Sequence, residues 1–501
     1  MAVKDSEPQK PVSTTEIHEL VSSGRVRELW SHIDEYIDNG QLLDFLKHAY
    51  PRQAAISNGV SRRDFLKIMG ASLAFAGLSA CVPRLSENIY PYVNPPQDLI
   101  PGQPLAFAST ILHSGYAQGV VVRSNMGRPN KVDGNPKHPA TLGSSDIFMQ
   151  ASILDLYDPD RAKEVKNQGA KRTWTDFTQA LQQALNEQTS KQGAGLRILT
   201  GSVTSPTLND QLQAILAAYP QARWHAYSPI NRDLEHAGAQ NAFGAPADPV
   251  YAFDKAAVIV SLDADFMFRL PGHVRYAHDF ESHRQVDTVE ADMNRLYMVE
   301  SSWTITGSNA DHRLAVKASQ VEGFARDLAA RLGINSAAAG EAQAPWSAWL
   351  DPLVADLRAH SGNSLILAGD QQPPAVHALA YAMNQALGNI GKTVFFINPV
   401  EFSPTNHLDS LKTLLQDLNN GQVDLLVILE TNPAYATSKD LNVAEALKKA
   451  RLIVDLGLYE DETASLAHWF IPATQYLEAW GGGRAYDGTA SISQPLIEPP
   501  Y

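Results

Sequence analysis

At 501 residues the chain exceeds a single hydrophobic core, so two to four domains are expected. A hydrophobic share of 44% and a mean hydropathy of −0.22, with no long apolar segment, describe a soluble globular protein rather than one built of membrane spans. The 40 basic and 54 acidic residues leave a net charge of −14, which argues against an extended nucleic-acid surface, and one cysteine excludes both an internal disulfide and a cysteine-ligated iron–sulfur cluster within these residues.

Residues 1–60 read as a helical N-terminal extension. Val26, Leu29, Trp30, Ile33 and Ile37 fall on one face of an amphipathic helix, and a second short helix over 41–49 stops before Pro51. The extension is either a solvated helical hairpin or a docking handle used before or during export. Residues 61–81, SRRDFLKIMGASLAFAGLSAC, carry the adjacent Arg62 and Arg63, then Phe65 and Leu66, then an apolar run ended by Cys81. A basic pair, a short apolar region and a small-residue exit are the parts of an export signal. The run covers about half of the roughly 20 residues a membrane-spanning helix needs. The pattern resembles the twin-arginine signal, and Leu78 to Cys81 resembles a lipobox whose cysteine sulfur is acylated. A retained leader would serve instead as an uncleaved anchor. Residues 82–106, with Pro91, Pro95, Pro96, Pro101 and Pro104, read as an extended tether.

Residues 107–165 turn to short strands. Strand 119–123, a turn at 125–128 and a returning strand at 131–133 make a hairpin, and 134–139 is a turn cluster in which His138 reads as a loop residue with local hydrogen bonds. Beyond it strands and helices alternate, as in parallel sheets with right-handed crossovers: strand 197–200 with helix 208–218, strand 256–262, strand 364–368 with helix 376–387 and strand 393–397, and strand 423–429 with helix 443–450 and strand 452–456. A helix over 346–358 suggests a boundary near 345–360, dividing an α/β domain at 166–345 from a second at 346–501. No glycine fingerprint opens these helices and no Walker lysine is present, so ordinary nucleotide use has no support. Residues 481–484 read as a flexible glycine turn whose amides, with Arg484, offer a weak phosphate cradle. Asp311, His312 and Arg313 read as a salt-bridged turn, and His377 as a histidine at the edge of a core.

Together these stretches resemble the molybdopterin oxidoreductases. VDGNPKHP (132–139) and LYDPDR (156–161) resemble the β-rich first domain, and ETNPAYAT (430–437) and the run from His468 resemble the late α/β domain. Residues 293–319 and 368–393, with the helical preface before SRRDFLK, resemble the twin-arginine-variant large subunit of alternative complex III. The resemblance implies a multi-domain α/β fold: a small β-rich domain plus parallel-sheet domains. Active relatives hold a [4Fe–4S] cluster on cysteines that 111–119 and 142–150 lack, and no cysteine follows as a molybdenum ligand. It therefore implies a fold kept after its own redox chemistry was lost, without bound molybdopterin, metal ligands or catalytic residues. Glu478, Trp480 and Arg484 are candidates to line the vestigial pterin cleft.

The same resemblance implies an iron–sulfur domain with [4Fe–4S] or [3Fe–4S] clusters following this chain or carried by a partner, and an ending inside a motif that continues in the family. Expected partners are quinol-oxidising integral membrane subunits and c-type cytochromes, on the periplasmic face of the cytoplasmic membrane. Two other functions compete. One is a working molybdopterin enzyme with a serine or aspartate ligand; the other is a lipid-tethered binding protein.

Overall fold

The computed structural model describes residues 100, 102–286, 288, 293–334, 345–402 and 405–499, all within the second of two units, residues 96–501. The helical extension, the export signal with Arg62, Arg63, Phe65 and Leu66, Cys81, and the tether up to residue 99 lie outside the described residues.

The β-rich expectation for 107–165 is met by a three-stranded antiparallel sheet. β1 (Leu105–His113), β2 (Tyr116–Asn125) and β3 (Arg128–Gly134) pair in sequence order. Met126 and Gly127 turn between the last two with φ of 52° and 80°. Val120, Val122 and Val132 face inward onto Met149, Ile153 and Leu156 of α1 (Ile147–Tyr157), whose N-cap Asp146 accepts from Met149 N.

Two α/β bodies follow, and each is built from separated stretches of chain. The first sheet contains β4 (Lys166–Asn167), β5 (Ala170–Lys171), β6 (Leu196–Thr200), β7 (Arg223–Ala226), β14 (Leu425–Leu429), β15 (Leu452–Gly457) and β16 (Trp469–Pro472) in the order β5-β4-β16-β15-β14-β6-β7. β6 runs parallel to β14 from Leu196 opposite Leu425 to Thr200 opposite Leu429. The second sheet contains β9 (Val258–Leu262), β10 (Arg295–Glu300), β11 (His312–Ala315) and β12 (Ser364–Ala368) in the order β11-β10-β9-β12, also parallel. A boundary at 345 therefore cuts both sheets. An apolar run such as 258–262, buried on both faces, announces a central parallel strand but not its neighbour.

β13 (Val394–Ile397) also departs from expectation. It pairs antiparallel with β8 (Asp248–Tyr251) instead of extending the parallel sheet. Gly388 and Gly391, at φ of 68° and 80°, turn the chain away after the preceding helix. That helix, α9 (Pro374–Ala386), packs on the second sheet beside α7 (Val321–Arg331) and α8 (Ser347–Ala359) around Val260, Phe324, Leu353 and Met383. The first sheet is covered on one side by α2 (Trp174–Ser190) and on the other by α10 (His407–Asn419) and α12 (Val443–Leu447).

Near the end of the chain, Gly481–Arg484 forms a strand, β17, paired with β18 (Ala490–Ser493). It is not a free turn. A Cβ at Gly482 would lie 2.4 Å from Ser491 O, and one at Gly483 would lie 2.6 Å from Leu112 Cδ2. The glycines allow close backbone approach, and no phosphate cradle is needed to explain them.

Candidate functional site

In open parallel sheets, ligands bind beyond the carboxyl ends of the strands, where the strand order reverses. The second sheet reverses between β9 and β12, and its own side chains fill that point. Asp263, just past β9, accepts from Ser301 N at 3.2 Å and from Gln372 Nε2 at 2.9 Å. Gln371 Nε2 donates to Asp263 O at 2.7 Å. Glu300, at the end of β10, is fully buried and takes Thr304 Oγ1 and the Arg313 guanidinium.

At the first sheet a cleft of about 510 Å³ opens beyond β14 and β15. Its wall carries four carboxylates, Asp155 from α1, Glu430 after β14, Asp455 within β15 and Asp461 after it, and no lysine, arginine or histidine. Tyr459, Tyr476 and Trp480 complete the rim, and Trp480 is 73% exposed. Asp455 is 3% exposed. Burial, reinforced by the Asp461 carboxylate, pushes it up to about 7. Burial likewise pushes the Tyr476 hydroxyl up to about 12. Asp461 is engaged differently, accepting from Thr463 N and Ala464 N at 2.9 Å each.

A smaller cavity of about 130 Å³ lies between the β1–β2 hairpin tip, both α/β bodies and α5 (His273–Ser282). His113 stacks on Phe148 at 4.6 Å, and burial lowers its pKa. His273 directs Nδ1 to Leu270 O at 2.9 Å and Nε2 to Asp146 Oδ2 at 2.6 Å. Burial alone would raise Asp146, but the bonds from His273 and Met149 N together with the His273 and His113 charges outweigh it, and the net direction is down. Both arginines lining the cavity are already matched. Arg232 meets Glu235 at 2.6 Å and Asp248 at 3.0 Å, and Arg269 meets Asp370 at 3.0 Å.

Molybdopterin carries a phosphate, and its metal takes a thiolate or an oxygen ligand. The large cleft carries four carboxylates and no cation to meet an anion, the small cavity's arginines are spent on internal partners, and residues 100–499 contain no cysteine. Among the described residues no three metal-binding side chains converge. The residues present do not fit that group.

Of the three residues expected at a vestigial pterin cleft, Trp480 lines the acidic cleft. Glu478 lies beneath it, buried in an ion pair with Arg161 at 2.6 Å. Arg484 sits elsewhere, its guanidinium 4.1 Å from the Phe402 ring centre and donating to Val400 O. His138 is buried, with Nδ1 accepting from Ala140 N at 3.2 Å, the local bond expected of a loop residue. Asp311 pairs with Arg284, but His312 and Arg313 stand on the edge strand β11 rather than in a turn. His312 stacks on Tyr297 at 4.5 Å and Arg313 pairs with Glu300, so the three share no cavity. His377 is 1% exposed inside the core. Sequence reasoning passed over Asp155, Asp455 and Asp461. The available signal was Asp455 itself, a carboxylate inside the apolar strand LIVDLG.

No protein-family model and no curated protein matches this chain. Among solved structures it is similar to acetylene hydratase from Pelobacter acetylenicus, with a TM-score of 0.56 and 12% identity over 78% of this chain and 67% of that one. A likeness at that identity speaks to architecture. The chain has a mixed α/β fold of the same architecture, with parallel sheets and a small antiparallel β-sheet.

Proposed function

We propose that this chain is a catalytically empty molybdopterin-oxidoreductase-like subunit of a membrane-bound quinol-oxidising complex of the alternative complex III type. In this reading it scaffolds electron transfer between quinol-oxidising membrane subunits, an iron–sulfur domain and c-type cytochromes. The observation that carries it is the chemistry of the two strand-end crevices: one is filled by Asp263, Gln371 and Gln372, and the other is walled by carboxylates. A fold of this class that presents no thiolate and no phosphate-binding cation at these points lacks the means to hold a redox pterin. Electron transfer needs fixed spacing between centres, and a rigid domain supplies spacing without chemistry of its own. Arg62, Arg63 and Cys81 support export by the twin-arginine route to the outer face of the cytoplasmic membrane, with a lipid on the cysteine.

Metal analysis of the purified chain, paired with a membrane pull-down and subunit identification, tests the reading. The expected result is less than a tenth of an equivalent of molybdenum or tungsten together with recovery of haem-bearing and integral membrane subunits. Stoichiometric metal, or isolation as a stable solitary monomer, overturns it.

A further inference from the structure

The Asp455 side chain takes no hydrogen bond in the structure, although the residue is 3% exposed and its carboxylate opens onto the 510 Å³ cleft. A buried carboxylate without a partner is costly, and folded chains seldom keep one without a ligand or a role. Of the charges around it, the Asp461 carboxylate adds to the cost. Asp155, Glu430 and Asp461 share the cleft wall, Tyr459 and Tyr476 present neutral hydroxyls, and Arg161, paired with Glu478, also acts on Asp155. We infer that this cleft is a receptor for a guanidinium group, with Asp455 as its anchor and Trp480 as an aromatic face on the same wall.

The chemistry favours that class of cation over a metal ion. No three metal-binding side chains among the described residues converge, so the negative charge is spread along the wall. A planar, delocalised cation with several N–H donors meets spread carboxylates better than a compact ion does, and it stacks on an indole. With the Asp455 carboxyl raised to about 7, binding a cation near neutral pH releases part of a proton to the buffer. The guanidinium can belong to an arginine of a partner chain or to a free guanidino compound. The chemistry is shared, and the experiment separates the two sources.

Calorimetric titration of the full chain with agmatine and with acetyl-Gly-Arg-Gly-amide tests the assignment. Both probes are expected to bind, with affinity rising about tenfold from pH 6 to pH 8 and an enthalpy that depends on the buffer's ionisation heat. Asp455→Asn is expected to lose at least tenfold in affinity. Trp480→Ala, at an exposed position that leaves the fold intact, should lose severalfold. Tighter binding of the peptide assigns the site to a partner chain, and tighter binding of agmatine to a free ligand; either supports the inference. No heat with either probe, heats matched by potassium chloride, or undiminished binding in Asp455→Asn would overturn it. The scaffold reading is judged by metal content and subunit recovery, so the two fail separately.

Discussion

Arg161 and Glu478, 317 positions apart, close a bidentate ion pair in the interior: Nη1 to Oε1 at 2.8 Å and Nη2 to Oε2 at 2.6 Å. Their side chains are 4% and 0% exposed. The pair ties the end of the β-rich region to the segment after β16, directly below the acidic cleft. Glu478 also accepts from Gln475 N at 2.7 Å, which fixes the loop that carries Tyr476 and Trp480. Removing one partner leaves an uncompensated charge in the interior. Arg161→Ala or Glu478→Ala is expected to cost about 3–5 kcal/mol. The double change Arg161→Met with Glu478→Leu should cost clearly less than either, measured by urea unfolding.

Asn384 on α9 acts as a substitute strand for β12, which is an edge of the second sheet. Its Oδ1 accepts from Ile366 N at 3.1 Å and its Nδ2 donates to Ile366 O at 2.6 Å, closing the row that would otherwise lie unpaired. Asn384→Leu keeps the bulk and strands both backbone groups. A loss of about 3 kcal/mol is expected, and amide exchange should quicken at Ile366 before the rest of the sheet.

Gly134 ends β3 where the chain folds back over its own turn. A Cβ there would stand 1.9 Å from Ser144 O, and backbone cannot swing aside as a side chain can. Gly134→Ala is expected to destabilise the chain by about 3 kcal/mol or more. Gly169→Ala is a useful contrast: its added Cβ meets nothing within 4 Å, and only its φ of 78° resists the change. Paired thermal melts of the two variants check the ranking.

Asp455 sets a pH dependence opposite in sign to that of a salt-bridged carboxylate. Its ordinary value of 3.8 is raised to about 7 in the folded chain. Between those values the native chain holds a proton the unfolded chain has released, so this group's contribution falls as pH rises through the window. The fall is complete above about 7 and amounts to roughly 4 kcal/mol at most. Asp455→Asn keeps the shape of the neutral acid. It should match the parent near pH 4 and exceed it by up to that amount at pH 8, in parallel urea titrations. Equal stability at pH 8 would contradict the assignment.

Local patterns in the sequence determined the element types. The apolar runs at 258–262 and 425–429 became strands because branched and long aliphatic side chains, interrupted only by Ser261, suit a sheet covered on both faces. Helices at 374–386 and 347–359 followed from their periodic apolar faces, and the hairpin at Met126–Gly127 from its turn residues. The lone cysteine likewise excluded a cysteine-ligated iron–sulfur cluster within these residues. Only the tertiary structure decided which strands are neighbours. Pairing Leu196 with Leu425 joins residues 229 positions apart (425 − 196), and no local preference encodes such a contact. The acidic cleft was hidden for the same reason. Asp155, Glu430, Asp455 and Asp461 come from a helix and from two strand ends, and their shared field exists only once the sheet has assembled around them.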